Sequence, residues 1–314
     1  MANKMLILFK QKGFLGIRVK GRVRQQITGY LFVAPAVLFL VAITFYPIFR
    51  SIQLSVIDYS IGSSDQPFVG MKYYAKLFED EYLWNALKHS FYFGFTGFVV
   101  TVLIGMILAV LLNSNWTTLR VRDFMRGLFV LPWMFSTTVA ALMWGLILHR
   151  DGILNSYLTQ LGLLERPIAF TGDKVLALPV VIAIFVWKDT PFAMVMILAA
   201  LKSVPMDLYD AAKVDGASSW QYFRYVTVPL MMPVVLTVSI LVFIWGFGHY
   251  DLVKVITGGG PLHRSEVVSY YLYKVAFMQM DFSYGSAISI LIFVILLLFA
   301  ILYIRAYTRS RPWQ

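Results

Sequence analysis

The chain contains no cysteine. Disulfides and thiolate metal sites are therefore excluded, and the redox compartment is left open. Charge is scarce: 14% of the 314 residues are acidic or basic, against about 25% in a soluble domain. The four histidines, His89, His149, His249 and His263, include no pair at helical spacing, so no metal site is expected. No Gly-x-x-x-x-Gly-Lys-Ser/Thr phosphate loop occurs, and the glycine run Gly258-Gly259-Gly260 has no lysine after it. The chain is not expected to hydrolyse ATP.

What it has in quantity is apolar surface. Hydrophobic residues make up 59% of it and the mean hydropathy is +0.73. A membrane crossing needs about 20 mostly apolar residues. Six such stretches predict an all-α integral membrane protein, with spans near 30–49, 91–112, 127–148, 175–201, 228–247 and 286–304. An even count puts both termini on one side.

Charge sets the orientation. Residues 1–29 carry seven Lys/Arg and no acid, and the 113–126 loop, the 202–227 loop and the tail add three basic residues each. The opposite loops, 51–89, 149–173 and 249–285, hold eight basic residues against 11 acids. Cytoplasmic loops collect Lys and Arg, so both termini are expected in the cytoplasm. The net charge of +11 then reports topology, and nucleic acid is not an expected partner. The expected organisation is a basic arm at 1–29 on the lipid surface, a six-helix domain at 30–305 and a tail at 306–314. The arm is not a cleavable signal, since its first apolar run is already span-length.

The loop after the fourth predicted span is unlike its surroundings. In "SVPMDLYDAAKVDGASSWQYFRYVTVP", Ser203 to Pro205 signals a helix start. Leu208, Ala211, Ala212 and Asp215 share one side of that helix. Gly216 ends it, because glycine accepts a left-handed turn. A second short helix is expected from Ser218 or Ser219 as N-cap, with Trp220, Phe223 and Val226 along one edge and Pro229 marking re-entry to the membrane. Residues 203–229 thus read as a cytoplasmic helix–glycine–helix hairpin, either an interfacial loop or a docking element.

Asp210-Ala211-Ala212, then Gly216, then Val226-Thr227-Val228-Pro229 resemble the cytoplasmic signature of permease subunits of ATP-binding-cassette importers. Asp210 stands where that signature usually has Glu. "RDFMRGLFVLPW" (122–133), "WKDTPFAMVMILAALKSVP" (187–205), "LVKVITGGGP" (252–261) and "YKVAFMQMDFSYGSA" (273–287) are similar to the maltose-type, carbohydrate branch. The resemblance covers roughly residues 30–305. It implies the type I importer permease fold in a bacterial inner membrane, working by alternating access. It implies as partners a second homologous permease, two ATPase subunits that hold ATP and Mg, and a periplasmic or extracellular solute-binding protein. The hairpin, with Asp210, Ala211, Ala212, Asp215, Gly216, Trp220, Phe223 and Pro229, would couple to an ATPase. The turn Thr257-Gly258-Gly259-Gly260-Pro261 would meet the binding protein. The solute would be a sugar or oligosaccharide, acidic ones such as alginate included.

Lys188 and Asp189 lie inside a predicted span, where each ionised group costs about 2.5–3.5 kcal/mol. They line a path, or form a structural pair, or face a second permease. Neighbours in sequence point about 100° apart on a helix, which makes a direct pair awkward. Trp245, His249, Tyr250 and Asp251 at the end of the fifth span complete the substrate-path candidates, since indole and phenol faces suit sugar rings. "KYYAKLFEDEYLWNAL" (72–87) reads as an amphipathic helix along the outer surface, with Tyr73, Tyr74, Glu79, Asp80 and Glu81 available to the binding protein. Two rival functions are an ion-coupled carrier, which would need buried carboxylates in several spans, and a non-transporting scaffold.

Overall fold

The computed structural model of the chain describes residues 21–62, 65–114 and 118–309, and of residues 21–27, 306 and 309 the backbone only. Most of the basic arm and the end of the tail lie outside the described residues. Every regular element described is helical, apart from one isolated antiparallel bridge, Ile57 to Phe68.

The chain divides after Gln53. The described part of the first unit lies in one long helix, α1 (Gly21–Ser55), which begins within the expected arm, carries Pro35 and Pro47 without a break and ends just past the division. The second unit starts with a short helix, α2 (Lys72–Glu79), and the long α3 (Glu81–Asn113). Then come α4 (Leu119–Met134), α5 (Thr137–Ile147) and α6 (Ile153–Gln160). α7 (Ala177–Lys202) precedes the hairpin of α8 (Met206–Val214) and α9 (Ser219–Tyr222). α9 continues through a π turn (Phe223–Thr227) into α10 (Val228–Phe247). After α11 (Tyr250–Ile256), α12 (Val268–Tyr273) and a second π turn (Lys274–Met278), α13 (Phe282–Arg309) ends the described chain.

Five helices are long and apolar enough to cross a membrane: α1 from Thr28, α3, α7, the joined α9–α10 and α13. The third expected span is different. α4 and α5 reach that length and hydropathy only as a pair, bent by 95°. The cause is local. Pro132 has no N–H to close the last turn, and Phe135 and Ser136 adopt extended backbone before Thr137 restarts the helix.

α7 forms the axis of the core. It is apolar nearly all round, and side chains on every face, from Val181 and Phe185 to Met194 and Ile197, are buried. That is the expected behaviour of a helix surrounded by others. α3 packs along it, with α4 and α10 also against it. Small residues set the spacing: a Cβ on Gly105 of α3 would stand 2.7 Å from the Ala193 Cβ and 3.0 Å from the Met194 backbone nitrogen. Close backbone approach of this kind is how helices associate in lipid.

Residues 72–87 are not one surface helix. Asp80 takes extended backbone and its carboxylate accepts the N–H of Leu83, so α2 stops and the spanning helix α3 starts there. The second carboxylate oxygen accepts hydroxyls from Tyr271 (2.6 Å) and Tyr284. Tyr73 is buried and donates to Asp58 at 2.8 Å. Of the residues expected to meet a partner, Tyr73 and Asp80 are instead committed within the chain, Asp80 to α12 and α13 and Tyr73 to Asp58. At the other end of the bundle, Arg122 and Arg126 donate to the carbonyls of Ser114 and Leu112, both at 2.8 Å, and cap the C-terminus of α3.

Two outcomes follow. Gly105→Val forces α3 away from α7 and is expected to cost about 1–3 kcal/mol, read as a lower unfolding midpoint in detergent. At Asp80, burial opposes ionisation, but the hydrogen bonds from Tyr271, Tyr284 and the Leu83 N–H outweigh it and hold the carboxyl below the usual range. A depressed carboxylate stabilises the fold fully above its unfolded pKa of about 3.9 and loses that contribution as pH falls through the folded value. Asp80→Asn is therefore expected to lower the neutral-pH midpoint and to flatten its decline in acid.

Candidate functional site

Where α4 breaks, the bundle opens. A cavity of about 490 Å³ is walled by Trp133, Thr137, Lys188, Asp189, Ile244, Trp245, Gly248 and His249. The end of α4 and the start of α5 form one wall, the middle of α7 and the end of α10 the others. Of the expected path residues, Lys188, Asp189, Trp245 and His249 are brought together here.

Lys188 and Asp189 do pair: Nζ lies 3.5 Å from Oδ1, with both side chains almost fully buried. The expectation that adjacent residues diverge too far fails because four methylenes let the lysine bend across the 100° between them. Pro191, close by on α7, cannot donate to the Trp187 carbonyl.

Two indoles line the cavity, with Phe192 packed between them. Trp133 and Trp245 each stand beside Phe192, with centroids 5.8 and 4.9 Å apart. The His249 ring is held by Phe185 at 5.1 Å and Phe93 at 6.0 Å. Its buried Nε2 has no hydrogen-bond partner among the described residues. The cavity thus offers flat indole faces, a cation and an anion, with the His249 ring beside them. That combination suits a ring with apolar faces and hydroxyl edges.

Tyr250 and Asp251 stand outside it. Tyr250 belongs to a separate cluster with Tyr270 and Tyr273, and Lys254 lies over the Tyr250 and Tyr273 rings. Asp251 is exposed. Trp133 and Thr137 were not legible as site residues, because the helix break that aims them inward looked like an uninterrupted span. A larger hollow of about 740 Å³, between α3, α4 and α7, has no charged residue in its lining and lacks the convergent polar groups of a solute site.

The hairpin lies at the opposite end of α7. Gly216 has φ +75° and closes α8, as expected for a left-handed residue. Ser218 rather than Ser219 is the N-cap, in a reciprocal pair: its hydroxyl accepts the Gln221 N–H and the Gln221 side chain accepts the Ser218 N–H. The second helix is not a separate short element: it continues from Ser219 to Phe247, and Pro229 sits inside it, two residues past the π turn. Asp210, Ala211, Asp215 and Trp220 are exposed, and so are Met206, Leu208 and Val214. Trp220 lies against Phe223 with centroids 5.9 Å apart. The hairpin therefore presents an uncovered, partly apolar face.

The glycine turn is bound rather than loose. The Thr257 hydroxyl donates to the Val253 carbonyl and accepts the Gly259 N–H, and Ser265 donates to the Gly260 carbonyl. Gly259 has φ +75° and packs on the Tyr270 ring. Beneath the turn, the buried Glu266 binds Lys274 at 2.6 Å and also His263. His263 and Glu266 stand three residues apart, a signal that a search for paired histidines passes over. Lys274 is thus an ion-pair partner and not a free cation.

The sequence matches the family model for the binding-protein-dependent transport system inner membrane component over residues 101–313. A probable ABC transporter permease protein, YurN of Bacillus subtilis, is 31% identical, covering 92% of this chain and 98% of its own. The trehalose/maltose transport system permease protein MalF of Thermococcus litoralis is 30% identical, covering 91% and 95%. In fold, the chain is similar to one from a bacterial ABC transporter involved in the import of the acidic polysaccharide alginate. That likeness has a TM-score of 0.79 at 20% identity and covers 92% of this chain and 97% of the other.

Removing one partner of a buried ion pair costs about 3–5 kcal/mol, because the other charge is left unpaired. Lys188→Met is expected to lower the detergent unfolding midpoint, and Lys188→Met with Asp189→Asn to recover part of the loss. A double variant no more stable than the single one would contradict the pairing.

Proposed function

The chain belongs to the family of binding-protein-dependent transport system inner membrane components, and on that premise we propose that it carries a sugar or oligosaccharide through the cavity at Lys188 and Asp189 by alternating access. The observation that carries this reading is the cavity wall itself: two indoles, an ion pair and a histidine brought together within a mainly apolar helix bundle. A relative 30% identical serves trehalose and maltose. Because Lys188 is paired with Asp189, the charges lining the cavity cancel. That favours a neutral sugar over an acidic one, since no cation there is free to meet a carboxylate.

The hairpin of α8 and α9 would enter a groove on an ATPase subunit, with Asp210, Ala211, Ala212, Asp215, Gly216, Trp220 and Phe223 at or near the contact. Two such ATPases, holding ATP and Mg, would drive this chain and a second homologous permease. The turn Thr257 to Pro261 would receive the solute-binding protein, and its hydrogen bonds support a shaped rather than a floppy contact. Both termini would lie in the cytoplasm, where the basic loops belong.

Reconstituted in lipid with its partners, the complex is expected to hydrolyse ATP faster when binding protein loaded with a neutral sugar is added. Uptake that survives ATP depletion and stops with an uncoupler would contradict the reading. Gly216→Val tests the hairpin. A Cβ at this position meets nothing within 4 Å, so only backbone strain of about 1–2 kcal/mol enters. Docking of the ATPase is expected to weaken about five- to thirtyfold, measured by co-purification across an ATPase titration. Unchanged docking would remove the hairpin from the contact.

A further inference from the structure

The two helices of the hairpin are tied to each other by one polar contact. The Tyr209 hydroxyl on α8 lies 3.0 Å from the Thr227 Oγ1 in the π turn. Thr227 is 2% exposed, although the hairpin around it is largely open to solvent. The Tyr209 ring meets the Tyr222 ring edge-on at 5.5 Å, which fixes the phenol's direction. Thr227 also reaches the carbonyl of Tyr222, five residues back. That spacing belongs to a π turn, in which one extra residue swings a side chain off the ordinary helical register. Without the turn, Thr227 would not stand where it meets Tyr209.

We infer that Tyr209 and Thr227 form a clasp that makes α8, the π turn and α10 move as one body, so that a push on the hairpin reaches the cavity end of α10. Tyr209 and Thr227 are positioning residues; neither touches solute or nucleotide. The physical need is plain. α8 follows Ser203 and precedes the left-handed Gly216, and among the contacts described Tyr209–Thr227 is the side-chain hydrogen bond that spans the glycine, beside the Tyr209–Tyr222 ring contact. α10, in contrast, is continuous from α9 to Phe247, and Trp245 and His249 at its far end line the cavity. A hairpin free to pivot at Gly216 would bend without displacing α10. This inference rests on the coupling role proposed above.

The test is solute moved per ATP hydrolysed in the reconstituted complex. Tyr209→Phe keeps the ring and loses the hydroxyl, Thr227→Val keeps the shape and loses it, and Thr227→Ser keeps the hydroxyl. The first two are expected to lower the transport-to-ATP ratio by about two- to tenfold, the range of one net hydrogen bond. The KM for loaded binding protein should stay unchanged, Thr227→Ser should retain coupling, and the Tyr209→Phe/Thr227→Val pair should lose no more than either alone. The chain has no cysteine of its own, so Tyr209→Cys with Thr227→Cys gives a clean converse. Reduced, the pair should be uncoupled; joined by a short bis-methanethiosulfonate linker, it should regain coupling. An unchanged ratio in both single variants, or transport abolished by the linker, would overturn the clasp. If the parent complex itself shows no ATP-driven uptake, the proposed function fails instead.

Discussion

Two opposite charges sit side by side on α7, the helix that α3, α4 and α10 pack against. Lys188 and Asp189 are 3.5 Å apart and nearly buried, in a segment where each charge alone would cost several kcal/mol. Their pairing lets α7 stay inside the bundle without expelling either charge. Because the pair lies at a cavity, the same interaction that makes α7 tolerable in lipid also gives the cavity its polar wall. Fold and candidate site share this constraint: a change at either residue is felt in both.

Polar contacts secure the second unit elsewhere. At the start of α3, the Asp80 carboxylate gathers Tyr271 and Tyr284, while Glu266 holds His263 and Lys274 under the glycine turn. At the hairpin end, Arg122 and Arg126 cap α3. Those arginines entered the charge count only as markers of the cytoplasmic side. On the proposed topology, local capping and membrane orientation do not compete, because the helix C-terminus that attracts a cation would lie on the face that retains cations.

Much of this was legible in the sequence. Span-length apolar runs announced α1, α3, α7, α10 and α13, since hydropathy is a sum over many residues and tolerates local error. Gly216 announced the end of α8 because left-handed backbone nearly demands glycine. Three things were not legible. The 95° bend after Pro132 came from two extended residues that composition does not mark. The halt at Asp80 looked like one more acid on an amphipathic face, when its partners lie some 190 to 200 residues away in sequence. The pairing of Lys188 with Asp189 depended on lysine rotamers, which the helical wheel ignores. In each case a tertiary contact or a side-chain torsion decided the matter, and neither has a periodic signature. The family resemblance carried by the hairpin motif and the later segments agreed with the family match and the fold likeness, but the bend and the clasp belong to this chain's own geometry.

The account depends on the cavity being a path that opens to one side at a time. The absence of cysteine permits a direct measurement: place Thr137→Cys in the cavity wall of the reconstituted complex and label it with a membrane-impermeant thiol reagent, from each side, with and without ATP and solute. The account predicts labelling from one side in each nucleotide state, reversed between states and blocked by solute. Labelling that ignores nucleotide and solute alike would contradict it.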